Sequence, residues 1–69
     1  MENLPFTIEN KILSLTRRAD RVIVYSMTGS VILHEMNVTN LALDFREPMV
    51  ILTIRMADQM YQYKYVSTP

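Results

Sequence analysis

The last third of the chain constrains the fold most. Residues 49–56 read Met-Val-Ile-Leu-Thr-Ile-Arg-Met, residues 60–66 read Met-Tyr-Gln-Tyr-Lys-Tyr-Val, and Ala57-Asp58-Gln59 separates them. Two runs rich in β-branched and aromatic residues around a turn-compatible triplet predict an antiparallel hairpin. Side chains alternate faces along a strand. Tyr61, Tyr63 and Tyr65 therefore project to one side, and Met60, Gln62, Lys64 and Val66 to the other. Neither face is uniformly polar, so each must meet a core, a sister subunit or a ligand.

The preceding residues predict more short strands. Arg21 leads a β-branched run over residues 21–27, and Thr28-Gly29-Ser30 follows with the only glycine in the chain. That glycine supplies the positive φ of a tight hairpin turn. Residues 30–36 form the return strand, and Asn37-Val38-Thr39-Asn40 is turn chemistry. Over residues 41–45, Leu41, Leu43 and Phe45 alternate with Ala42 and Asp44. Arg46-Glu47-Pro48 is a loop, because proline cannot donate to a ladder. Residues 67–69 read as a frayed tail.

The N-terminal segment predicts a helix over residues 7–18. Pro5 suits its first turn, Thr7 can cap it, and Ile8, Ile12 and Leu15 fall on one helical stripe. Arg17 and Arg18 then occupy the last turn, where cations suit the helix dipole. A strand over residues 12–16 competes with this reading but alternates over few positions. The expected architecture is therefore α+β or mostly β: a helix on a five-stranded, strongly bent antiparallel sheet, a small barrel. Its strands span about residues 21–27, 30–36, 41–45, 49–56 and 60–66. A flat sheet would leave exposed edges.

Sixty-nine residues make one domain. A chain this size buries only about 60% of the surface its unfolded form exposes. Small domains make up the difference with disulfides, a metal or a second copy of themselves. There is no cysteine, and a single histidine, His34, offers little to a metal. Self-association is the remaining route, and a 49% apolar composition suits it. No cofactor is implied.

Seven basic residues balance seven acidic ones, so no strong overall field draws in nucleic acid. No run approaches the ~20 apolar residues that span a bilayer, and no secretory signal opens the chain. These features predict a cytoplasmic protein without membrane contact. Asn37-Val38-Thr39 matches a glycosylation sequon, which matters only in an exported chain.

Pro5-Phe6 opens the N-terminal segment that ends in Arg17-Arg18. Arg21 leads Val22-Ile23-Val24-Tyr25, which stops at Gly29; Val50-Ile51-Leu52 is apolar throughout, and Gln59-Met60 precedes Tyr63-Lys64. In these short patches the chain resembles a small Sm-like or SH3-like barrel, in particular the bacterial branch of the Sm-like fold, the Hfq ring proteins, whose apolar fourth strand Val50-Ile51-Leu52 resembles. The chain departs from the family in its longer spacing from Gly29 to Val50, in one extra residue before Tyr63, and in Tyr65 where the family has histidine. The resemblance implies a ring joined edge strand to edge strand and binding single-stranded RNA. It implies Lys64 as a pore-side contact, Arg17, Arg18 and Arg21 as rim arginines, and Tyr25 or a C-terminal tyrosine as the base-stacking surface.

The residues themselves leave two readings of each group open. Tyr61, Tyr63 and Tyr65 beside Lys64 can stack bases, at about 1–3 kcal/mol each. Equally, they can cover a core or a subunit interface. Arg17, Arg18 and Arg21 can grip phosphate through bidentate contacts, or form a solvated helix end partly paired with Asp20. Arg55 is an outward residue at a strand edge or a desolvated partner of Asp44 or Asp58. Met1, Met27, Met36, Met49, Met56 and Met60 fill core gaps or, near strand ends, line a subunit contact. His34 and Glu35 are adjacent on a strand and point to opposite faces, so they cannot act together on one atom. With no nucleophile–base pair and no glycine-rich phosphate loop, catalysis is not expected.

Two function classes follow. One is a non-enzymatic oligomeric module that binds single-stranded RNA or a nucleotide. The other is a small inhibitor or adaptor of the phage type, docking on a host or defence protein.

Overall fold

The computed structural model describes residues 5–66. They form β1 (Phe6–Glu9), β2 (Ile12–Ser26), β3 (Val31–Ala42), β4 (Met49–Met56) and β5 (Gln59–Val66). All ladders are antiparallel. Met1 and the tail at residues 67–69 lie outside the described residues.

The helix expected over residues 7–18 is replaced by β1, a two-residue turn and the first part of β2. Asn10 and Lys11 have φ of 52° and 61°, the left-handed pair that closes a type I′ hairpin. Phe6 then pairs with Leu15, and Ile8 with Leu13, on one face. The supposed helical stripe is broken at Ile12, which is 46% exposed while Leu13 is fully buried. The physical reason is length and periodicity. A short helix bears a nucleation cost that three stripe residues do little to offset. The hairpin instead buries Phe6 and Leu13 and tucks Ile8 and Leu15 against them.

β2 is the spine of the molecule. Its first half lies between β1 and β3, its second half between β3 and β4, and β5 flanks β4. Between these halves the register jumps. β2 runs from Ser14 to Ala19 while β3 runs only from Asn40 to Val38. The surplus residues form a bulge that bends the strand. There the Thr16 amide and hydroxyl both donate to the Pro5 carbonyl, at 2.9 and 3.0 Å. The helix-end role expected for Arg17 and Arg18 falls with the helix; both are exposed in this bulge.

A second correction concerns residues 30–45. The turn expected at Asn37–Asn40 lies inside one continuous β3, which takes in only Leu41 and Ala42 of the strand expected over 41–45; residues 43–45 continue beyond it outside any strand. Asn37 takes a left-handed φ of 56°, which asparagine tolerates, and the chain bends there without leaving the ladder. The alternation expected beyond it holds: Leu43 is fully buried, and Leu41 and Phe45 pack on the core. Gly29 has the positive φ that its turn requires, and its amide donates to the Ser26 carbonyl at 3.0 Å.

The result is a curled sheet, a half-barrel, in which the ladders do not join β3 to β5. Val22 and Val24 of β2 face Ile54 and Leu52 of β4, all without solvent contact. Each such side chain contributes roughly 1.5–3 kcal/mol when fully buried. Val50, Met56 and Leu43 complete this inner face.

Candidate functional site

Residues paired across an antiparallel ladder share a face, so the inner rows define the outer ones. Three outer rows cross β3, β2, β4 and β5 in turn. They read Met36–Arg21–Arg55–Met60, His34–Ile23–Thr53–Gln62 and Val31–Tyr25–Ile51–Lys64. No carboxylate stands in any of them. Arg21 and Arg55 are directly opposite, with Lys64 in the row that carries Tyr25. A recess of about 340 Å³ opens here, lined by Arg21, Ile23, Tyr25, Thr53, Arg55, Met60 and Gln62.

The sheet produces this face by simple alternation. In β4 the inward Val50, Leu52 and Ile54 send Ile51, Thr53 and Arg55 outward. In β2 the inward Val22 and Val24 do the same for Arg21, Ile23 and Tyr25. Thr53 is only 7% exposed, and its hydroxyl has no hydrogen-bond partner among the described residues. An unsatisfied buried hydroxyl costs about 1–3 kcal/mol, so the position is a poor one for stability alone.

The residues expected to carry binding are divided by the fold. Arg21, Tyr25 and Lys64 share the outer face, with Arg21 and Tyr25 lining the recess and Lys64 outside it. Tyr61, Tyr63 and Tyr65 stand on the inner face, opposite Ile54, Leu52 and Val50. Tyr61 and Tyr65 pack against the core, and the Tyr61 hydroxyl donates to Gln59 Oε1. Tyr63 is 40% exposed, and the Phe6 ring meets it edge-on at a centroid distance of 5.4 Å. Arg17 lines a separate small recess with Pro5, Met56, Asp58 and Gln59 at the β4–β5 turn. Arg18 is exposed and lines neither recess.

Two members of the outer site, Thr53 and Arg55, were not expected to join it. Their outward direction was readable from alternation in β4. Their neighbours were not, because β2 and β4 are direct partners in the sheet although β3 separates them in sequence. Arg55 projects outward, as one reading held, but from a strand flanked on both sides rather than an edge.

A larger recess of about 650 Å³ lies at the far end of the β2–β3 hairpin. Met27, Val31, Ile32, Pro48 and Met49 make it mostly apolar, and Glu47 is its one ionisable group. Met27 and Val31 are 50% and 59% exposed. His34 and Glu35 point to opposite faces, His34 beside Ile23 and Glu35 beside Val22. Among the described residues no group of three or more His, Cys, Asp or Glu could hold a metal, and no helix is long and apolar enough to cross a membrane. No protein-family model, curated protein or solved structure matches the chain.

Proposed function

We propose that this protein is a non-enzymatic binding module for single-stranded RNA, which lies across the outer face of β2, β4 and β5. One observation carries the reading: Arg21, Arg55, Lys64 and Tyr25 share a face whose rows contain no carboxylate. Cations there hold phosphates, and an aromatic ring offers a stacking platform that tolerates any base. A balanced net charge does not oppose this, since the cations act locally. The reading needs no N-terminal helix, and it goes with a cytoplasmic location.

Self-association belongs to the same proposal. Among the described residues β3 and β5 each keep an unpaired edge, beside which Met36, Met60 and Val66 are more than half exposed. Free edges pair readily with another chain. Binding of a labelled single-stranded RNA, followed by anisotropy across a salt series, tests the function. Affinity falls steeply with salt if phosphates are gripped, with a log–log slope of about −0.7 per contact. A salt-independent or absent interaction overturns it.

The apolar recess supports a second reading, an adaptor or inhibitor of the phage type that docks on a protein through Met27, Val31 and Met49. Nuclease-resistant capture of one defined polypeptide, lost in Val31→Asp, would favour it over the first.

A further inference from the structure

The outer recess contains an arrangement that stability alone does not explain. Arg21 and Arg55 are nearest cross-strand neighbours, a pairing in which like charges repel. Nothing acidic stands in their row or in the two beyond it. One row away, the Thr53 hydroxyl is closed off from water without a partner among the described residues. Two facing guanidinium groups and a spare hydroxyl donor are what a phosphate needs, since its oxygens accept from both forks and from the O–H.

We infer that Arg21, Arg55 and Thr53 form a seat for a single phosphate ester, and that the recess takes one nucleotide unit with its base against Tyr25. This rests on the nucleic-acid reading of the same face and narrows it. A volume of about 340 Å³ is at the small end of ligand sites and suits one unit rather than a strand. Tyr25 lies four residues along β2 from Arg21, about 13 Å at strand rise, and the long arginine side chains shorten that span. Gln62, opposite Thr53, stands between the two ends with donor and acceptor groups for a sugar hydroxyl or a base edge. The hydroxyl has almost no solvent contact in the free protein, so neighbouring side chains part when the phosphate enters.

Calorimetry with uridine and adenosine 5′-monophosphates, the corresponding nucleosides, inorganic phosphate and a single-stranded oligonucleotide tests this on the full chain. The monophosphates are expected to bind, with the nucleosides and inorganic phosphate each at least roughly tenfold weaker. Thr53→Val should keep the circular dichroism spectrum and lose roughly tenfold in monophosphate affinity, while Thr53→Ser, which keeps the hydroxyl, retains it. If Thr53→Val fails to fold, Arg55→Gln carries the same expectation. Unchanged affinity in a folded Thr53→Val, or inorganic phosphate binding as tightly as the monophosphate, overturns the single-nucleotide seat. Binding of the oligonucleotide without the monophosphates also overturns it and leaves the strand-binding function standing. Binding of neither removes both.

Discussion

Arg21 and Arg55 face each other directly across the β2–β4 ladder, on the outer side of a sheet whose inner side is sealed by Val22 and Ile54. Like charges in that relation destabilise a pair by a fraction of a kcal/mol to about 1 kcal/mol. Arg55→Gln should therefore raise stability by about 0.2–1 kcal/mol in low salt while weakening RNA binding. Urea unfolding at low and high ionic strength checks it: the gain should shrink as salt screens the repulsion. A variant less stable at low salt would contradict the geometry.

The turn between β1 and β2 holds Lys11 at a φ of 61°. A left-handed backbone costs a residue with a Cβ roughly 1–2 kcal/mol, and glycine avoids this. Glycine also loses more freedom on folding, by about 0.4–1 kcal/mol. The net expectation for Lys11→Gly is a gain of about 0.5–1 kcal/mol, a few degrees in thermal midpoint for a domain this small. A helix over residues 7–18 would instead be weakened by the same change, so the sign of the shift distinguishes the two structures.

Leu52 sits without solvent contact between Val24 and Tyr63. Truncating a buried leucine to alanine costs about 2–5 kcal/mol. That approaches the whole stability of a typical small domain. Leu52→Ala should abolish cooperative unfolding at 37 °C, seen as loss of a sharp thermal transition in circular dichroism.

The two faces make a further prediction. Tyr63 meets Phe6 on the inner side, away from Arg21 and Lys64. Tyr63→Ala should lose the aromatic pair, worth about 0.5–1.5 kcal/mol, together with some buried area. Its RNA affinity should stay that of the parent protein, whereas Tyr25→Ala keeps stability better and loses binding. Anisotropy titrations beside thermal melts of both variants separate these outcomes.

Much of the architecture was written into local patterns. The β-rich composition of residues 49–56 and 60–66 specified a hairpin, and a period of two put Tyr61, Tyr63 and Tyr65 on one side of it; which side faces the core was open until the ladder set them opposite Ile54, Leu52 and Val50. Gly29 marked its turn because no other residue type adopts that φ without cost. The N-terminal segment was ambiguous for the same reason in reverse: Ile8, Ile12 and Leu15 satisfy a helix, while Leu13 and Leu15 satisfy a strand. The burial of Leu13 between Ile8 and the sequence-distant Leu41 resolves it. The Asn10-Lys11 turn was the signal that pointed the other way.

What the chain by itself determined is which residues share a face along the strands that its local pattern specified. Which outward residues become neighbours was settled by the tertiary structure alone. Arg21 and Arg55 are far apart in sequence, and they meet because β4 pairs with β2 on the side opposite β3, in one register. A slip of one residue would set Arg55 against Val22 and send the aliphatic positions of β4 into solvent. The drive to bury Val50, Leu52 and Ile54 forbids that slip. The binding face is thus positioned by the core behind it.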